Sequence, residues 1–566
     1  MVARSLYACS FLITLSLCSP NAIATSLSDQ EFLRQKERTR SLRQEQEVAP
    51  DVRLQQGMSG SAMDPLPANE SPCFRIQQIK LVGEQASAFS WLLTAAQAHD
   101  DALEGRCLGQ RAISQLQDRM QNALIGRGYV TSRVLLAPQD ISKGVLTFTF
   151  LPGRIQHIRF ADGTSPRATL WNAMPAKEGD ILNVRDIEQG LENFKRTPTT
   201  DADIQIMPAT GPDAAPNQSD LQIQWKERFP YRLTLSVDDG GSQATGLYQG
   251  NVTVSADNVL TLNDLFYASH NQSLGGGQSG GRGSWSDTLH YSLPVGYWLL
   301  GMTFSHNEYR QSVAGAYQNY MYHGKSENNE LLLSRVVYRD AVRKTSMTFK
   351  GWQRTANSYI DDAEIDVQKR RMAGWELGLS HREYRGAAFL DANLRYRQGT
   401  GALQSKSAPE EALSEGTSRM RLYLADTQLE VPFRLAGEFF HVNSSLRGQW
   451  NDTPLVPQDR FSIGSRYTVR GYNGENQLSA ESGWLLRNDL GWFKAGMEFY
   501  LGYDYGRVSG PSAAWLQGQR LAGGTLGIRG QYLGVSYDLF VSQPFAYPEN
   551  FRTPRTTGGF NLTTSF

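Results

Sequence analysis

Beyond its first residues the chain has no apolar run of about 18 residues or more, so no membrane-crossing helix is expected. It has no net charge, with 56 Lys and Arg against 56 Asp and Glu. No basic field argues for nucleic acid. Histidine is sparse, and His99, His157, His270, His290, His306, His323, His381 and His441 are scattered. There is no H-E-x-x-H and no clustered Cys/His set, which speaks against a metal enzyme. No G-x-x-x-x-G-K-[ST] is present either, because Asn319 stands where the first glycine before Gly324-Lys325-Ser326 would be. Gly277-Gln278-Ser279-Gly280-Gly281 fits G-x-S-x-G, and Gly275, Gly277 and Gly280 fit G-x-G-x-x-G. Both lie in one glycine-rich stretch without the strand-turn-helix context those motifs need, and a flexible loop explains them. No catalytic residue, metal ligand or cofactor is expected.

Cysteine is the other scarce residue, with four in 566 positions. Two of them fall in an N-terminal segment that reads as a secretory signal, residues 1–24. Arg4 is its positive end, Phe11–Leu17 its apolar core, and Ala22-Ile23-Ala24 its cleavage site. Cys18 follows Leu17, which disfavours a lipoprotein site. Cleavage leaves Cys73 and Cys107, an even count that in an exported chain suggests a disulfide. It would close a loop of about 35 residues and contribute about 3–4 kcal/mol by chain entropy.

What is abundant is glycine, 53 residues, and aromatics, 10%. Residues 26–48 read as one helix, with Ser28 and Glu31 as a capping box and Leu27 and Phe32 as a hydrophobic staple. Arg34, Lys36, Glu37, Arg38, Arg40, Arg43 and Glu45 make it polar nearly all round, so it suits solvent or a water-filled cavity and not an apolar core. Pro and Gly mark 49–72 as a linker. Residues 73–152 read as a small α/β unit. Its strands are Phe74–Val82, Tyr129–Leu136 and Gly144–Leu151. One helix covers Phe89–Ala98, and a second carries Ile113, Leu116, Met120 and Leu124 on one face. Residues 153–230 repeat the plan. A strand at Ile155–Phe160 precedes a short helix near Ala168–Met174 and a longer one carrying Val184, Ile187, Leu191 and Phe194, and strands follow at Asp203–Met207 and Leu221–Trp225. The period is about 80 residues.

From Tyr231 the period becomes two. Tyr231, Leu233, Leu235 and Val237 alternate with Arg232, Thr234, Ser236 and Asp238. Gly534–Ser542 nearly repeats this, with Phe540 on the polar face, and the run ending at Phe566 follows suit. Apolar outside and polar inside is the pattern of a transmembrane β-barrel, and residues 231–566 leave room for about sixteen strands. A soluble β-sandwich would alternate in the same way. Between two strand-like runs lies a polar connection, Phe461–Tyr472, with Arg466 and Arg470. On the following wall, Phe499, Leu501, Tyr503 and Tyr505 face lipid, while Glu498, Tyr500, Gly502, Asp504 and Gly506 face the lumen. Asp504 therefore points inward by parity, and Gly502 and Gly506 leave room beside it. A loop folded into the lumen would bring an arginine there, Arg470 being favoured by Gly471 beside it and Arg466 remaining possible. Glu498, about 20 Å away along the strand, is a rival acid.

These features resemble a known family. Val469-Arg470-Gly471-Tyr472, the Asp504 strand and the terminal Phe566 are similar to the two-partner secretion transporters, the TpsB family, which share a superfamily with the Bam and Sam insertases. Asp186–Asn193 and Arg196-Thr197-Pro198 resemble the second POTRA domain of that family, and Cys73 and Cys107 lie where first POTRA domains carry a disulfide. The resemblance implies a plug helix at 25–48 (with Ser28, Glu31 and Phe32), POTRA domains at 73–152 and 153–230, and a sixteen-stranded barrel at 231–566. It implies a lumen loop carrying Val469, Arg470, Gly471 and Tyr472, whose arginine pairs with Asp504, and Phe566 as a C-terminal assembly signal. The implied function is secretion of one large exoprotein (an adhesin, a haemolysin or a contact-dependent toxin) across the bacterial outer membrane, without nucleotide hydrolysis. The implied partners are that exoprotein, outer-membrane lipid and the barrel assembly machinery, with no nucleic acid. An insertase of the same superfamily is the alternative, and a barrel enzyme or a passive porin fits less well.

Overall fold

The computed structural model describes residues 27–47, 50–54, 65–67, 70–97, 103, 105–212 and 214–566. The signal segment, the Leu27 side chain expected in the staple, Glu104 and part of the linker lie outside the described residues. The chain forms a helix α1 (Leu27–Gln46), two α/β units and a closed barrel.

The first unit splits the expected opening strand into β1 (Cys73–Ile76) and β2 (Gln78–Gly83). β1 pairs antiparallel with β3 (Arg106–Gly109), whose Cys107 closes the disulfide to Cys73 with Cα atoms 5.4 Å apart. β2 joins a second sheet, parallel to β5 (Val145–Leu151), with β4 (Arg133–Leu135) antiparallel on the other side of β5. The first helix is shorter than expected, α2 (Trp91–Ala96), preceded by a 3-10 turn at Ala86–Phe89. α3 (Gln110–Gly126) lays Ile113, Leu116, Met120 and Leu124 onto Leu146, Phe148 and Phe150 of β5. Its first amides are satisfied by Glu70, whose carboxylate accepts from Gly109, Arg111 and Ala112 at 3.0–3.1 Å.

The second unit repeats that sheet: β6 (Arg154–Phe160) parallel to β8 (Gln218–Glu227), which pairs antiparallel with β7 (Thr200–Pro208). α4 (Val184–Phe194) starts at Asn183, whose side chain accepts from the Arg185 amide at 2.9 Å. The short helix expected near Ala168–Met174 is absent. A single turn closes there, with the Met174 amide on the Leu170 carbonyl at 3.0 Å, and Pro175 follows where a helix would need another N–H.

Seventeen strands form the closed barrel, one of which, Ala363–Glu364, only pairs with Tyr359–Ile360 at a loop. Sixteen antiparallel strands remain, from Tyr231–Asp238 to Thr557–Ser565. The two terminal strands close the ring over Thr234–Asp238 and Asn561–Ser565, and the Leu233 and Phe566 main chains extend the pairing at 2.9–3.1 Å. Tyr231, Leu233, Leu235, Val237, Phe499, Leu501 and Tyr503 are exposed on the outside, while Thr234, Glu498, Tyr500 and Asp504 are buried on the inside. Among the described residues no helix is long and apolar enough to cross a membrane. The strands do the crossing.

Candidate functional site in the barrel lumen

The connection between the strands Glu438–Asn451 and Ser482–Lys494 folds back into the lumen. It is a structured insertion. Phe461–Ile463 pairs with Leu478–Ala480, and Phe461, Ile463, Val469, Tyr472 and Leu478 build an apolar cluster against Leu485, Val508 and Leu521 of the wall. Tyr472 Oη donates to the carbonyls of Ala522 at 2.9 Å and Ala546 at 2.8 Å. Gly471 has φ 105°, and a Cβ there would stand 2.6 Å from the Gln543 carbonyl oxygen.

This packing delivers Arg470 to the wall. Arg470 Nε donates to Asp504 Oδ2 at 2.7 Å and Nη2 to Oδ1 at 2.7 Å, while the Arg470 amide donates to Oδ2 at 2.9 Å. Both residues are buried, with Asp504 at 0% exposure. Gly502 and Gly506 provide the room. A Cβ at Gly502 would lie 2.6 Å from Arg470 Nη2, and one at Gly506 2.8 Å from Val469 Cγ2. A second carboxylate, Asp489, accepts from Arg470 Nη2 at 2.6 Å. It was not anticipated, although it alternates inward on its own strand with Leu485 and Arg487 and sits opposite Gly502.

The rival residues have other partners. Glu498 accepts from Arg529 at 2.6 and 2.8 Å and lies 2.9 Å from His441. Arg466 pairs with Asp239, just past the first barrel strand, and donates to the Phe560 carbonyl at 3.2 Å on the last one. It also lies 5.2 Å over the ring of Phe540, the aromatic that broke the alternation. A further anchor was missed: Arg354 holds Asp459, at the start of the loop, by two bonds of 2.8 Å. Strand parity turns Arg354 inward with Lys350 and Trp352, so the signal was present, but nothing marked Asp459 as its partner.

α1 lies in the same lumen. At 20 residues it is about 30 Å long, enough to run the height of the hydrocarbon core. Its polar circumference matches a polar wall. Arg38 donates to Gln249 and Asn271 at 2.8 Å, Arg40 to Asp426 at 2.6 Å and Arg43 to Glu330 at 2.7 Å. Glu37 accepts from Arg447 at 2.6 and 2.9 Å. Ser28 falls within the described span of the helix, and its hydroxyl reaches Gln368 at 3.4 Å. Glu31 accepts from Arg34 at 2.6 Å, Gln35 at 2.9 Å and Thr245 at 3.3 Å. Phe32 lies 5.0 Å from the Arg354 guanidinium. A cavity of roughly 780 Å³ remains around α1, bordered by Lys36, Arg40, Lys350, Arg395, Arg397 and Asp426.

A barrel of sixteen strands, filled by a polar helix and a folded-back loop and preceded by two α/β units, can be compared with known proteins. Residues 217–530 match the model of the haemolysin secretion/activation protein family ShlB/FhaC/HecB. The chain belongs to this family. Residues 74–153 match the ShlB-type POTRA domain of that family and 154–208 a POTRA domain. An outer membrane transporter, CdiB-2 of Burkholderia pseudomallei (strain 1026b), is 34% identical over 520 residues, covering 89% of this chain and 88% of its own. An outer membrane transporter, CdiB of Dickeya dadantii (strain 3937), is 27% identical over 575 residues, covering 98% of each. The solved structure of CdiB from Acinetobacter baumannii superposes with a TM-score of 0.84 at 30% identity, covering 96% of this chain and 99% of that one. As a ShlB/FhaC/HecB-family protein the chain resides in the outer membrane, with its POTRA domains on the periplasmic side.

The second POTRA domain of this family member is bolted to the barrel through the outer face of α4. Val184, Ile187, Leu191 and Phe194 enter the domain core, yet Glu188, Gln189, Glu192 and Asn193 are buried as well. Asn193 donates to the Gly296 carbonyl at 2.8 Å and Arg196 to that of Ser292 at 2.9 Å. Tyr297 Oη donates to Asp186 at 2.5 Å, and burial raises the Asp186 carboxyl above the ordinary range. Arg339, at a strand end, reaches Glu188 at 3.0 Å and Glu192 at 2.9 Å.

Proposed function

We propose that this chain secretes one large exoprotein from the periplasm to the cell surface, threading it unfolded through the barrel lumen. The observation that carries the reading is α1, a polar helix held along the lumen by ion pairs to the wall in a barrel otherwise wide enough to conduct. A permanent brace would gain more from apolar packing; a water-lined helix held by partly solvated pairs can leave. In this reading residues 25–48 are the plug, 49–72 its linker, 73–152 and 153–230 the receiving POTRA domains, and 231–566 the channel. Arg470, positioned by Val469, Gly471 and Tyr472, locks the loop to Asp504. Phe566, directly after the last strand, is the signal read by the barrel assembly machinery. The free edge of a POTRA sheet binds the incoming chain by strand addition. Folding of the exoprotein outside supplies the driving force, and the chain has no enzymatic step of its own; the transporter names of its relatives support this. The exoprotein is an adhesin, a haemolysin or a contact-dependent toxin.

The test is co-expression with a large exported protein from a neighbouring open reading frame. Appearance of that protein at the surface or in the medium, only when this chain is present, is the expected result. Retention in the periplasm despite an inserted barrel would refute the reading.

A further inference from the structure

The first described stretch after α1 runs along α4 and not freely through the periplasm. The Val52 amide donates to Glu192 Oε1 at 3.2 Å and the Leu54 amide to Glu188 Oε1 at 2.7 Å. Arg339 Nη2 donates to the Val52 carbonyl at 2.5 Å. Val52 and Leu54 pack on the core of the second POTRA domain, while the Arg53 guanidinium lies 3.4 Å over the Tyr384 ring and Asp51 lies 3.8 Å from Lys344. The alternation of sides is that of an extended chain. Most of its bonds come from main-chain groups, and its side chains contribute packing at every second residue.

From this we infer a binding site for an extended stretch of the exoprotein in the groove between α4 and the periplasmic turn 339–344, filled at rest by residues 51–54 as an autoinhibitory strap. The inference rests on the export reading above. Three observations favour it. The groove recognises N–H, C=O and N–H in succession, which every polypeptide offers, so it tolerates the varied sequence of an unfolded cargo with apolar residues at alternate positions. Its frame does not depend on the strap: Arg339 holds Glu188 and Glu192, Lys344 holds Glu192 at 3.1 Å, and Arg185 holds Glu188 at 2.5 Å. A vacated groove therefore keeps its acceptors and its donor in position. Finally, the strap begins only a few residues after α1. Glu47, beside the end of α1, accepts from Tyr267 at 2.9 Å inside the barrel, so a plug leaving by the periplasmic mouth draws residues 50–54 with it. Withdrawal of the plug and opening of the groove are then one event, at the place where cargo must enter.

The experiment uses the full chain, co-expressed with its exoprotein, with a photo-crosslinking amino acid at Gln189 or, on the barrel side of the groove, at Lys344. Leu54→Pro removes the amide that bonds Glu188, and is expected to lower strap occupancy on the order of tenfold, the effect of one hydrogen bond to a charged group. The expected result is adducts to residues 50–54 without cargo, adducts to the exoprotein during secretion, and a rise of that order in exoprotein adducts with Leu54→Pro. The probe at Lys344 keeps the test decisive where a Gln189 variant does not fold. Continued strap adducts, with no exoprotein adduct at either position while the exoprotein still reaches the medium, would overturn the inference and leave the export reading standing. Failure of the unmodified pair to secrete would overturn both.

Discussion

Arg470 is a guanidinium that two carboxylates and a folded loop share. Replacing it by alanine leaves Asp504 buried with Arg487 Nε, at 3.8 Å, as its nearest remaining ion-pair partner. Removing one partner of a buried pair costs about 3–5 kcal/mol, and less where water reaches. Arg470→Ala is expected to leave the barrel inserted, free the loop to protease added outside cells, and stop secretion. Arg470→Lys should restore little, because an ammonium cannot make the forked contact to Asp504. Full secretion by the alanine variant would argue against the lock. Asp504 was legible before the structure because parity is a strong rule on a wall with one wet and one lipid face. The choice between Arg466 and Arg470 was not legible from parity, since both lie in a loop. Asp489 and Arg354 obeyed the same parity as Asp504, but parity turns a side chain inward without naming its partner, and only the folded loop brings Arg470 to Asp489 and Asp459 to Arg354.

At the scale of elements, α1 was readable from its charges. A ring of polar residues says where a helix cannot sit, and a lumen lined with Glu330, Asp426 and Arg447 meets its charges with partners. Deleting residues 26–48 should raise single-channel conductance in planar bilayers; an unchanged conductance would count against the plug. Arg43→Glu should act in the same direction more weakly, since it sets like charges against Glu330. The main-sheet strands of the two α/β units were found in order, but their ends were not, and β3 (Arg106–Gly109) was missed. A disulfide and a two-strand sheet claim Cys73–Ile76, which breaks what reads as one strand from Phe74 to Val82. Replacing Cys73 by serine should cost the first unit about 3–4 kcal/mol, for a crosslink of sequence separation 34. The check is urea-dependent protease resistance, with the first unit digested at lower urea while the barrel is unchanged.

The whole molecule is a wall, two insertions and a periplasmic arm, and its joints are where the sequence was least informative. The buried polar face of α4 looks in sequence like an ordinary solvated face, because burial against barrel turns more than a hundred residues away leaves no local mark. That joint ties the second POTRA domain to the barrel turns, so under the proposed function cargo held by the POTRA domains would already be beside the lumen. Under the proposed function, protein export runs through that lumen and not along the outside of the barrel. The most direct measurement is site-specific photo-crosslinking during secretion, comparing adjacent residues of one strand. Arg395 faces the cavity and Leu394 is exposed on the lipid side. The account predicts exoprotein adducts at Arg395 and none at Leu394. Adducts at Leu394, or at the lipid-facing pair Val237 and Leu562 where the terminal strands meet, with none at Arg395, would contradict it.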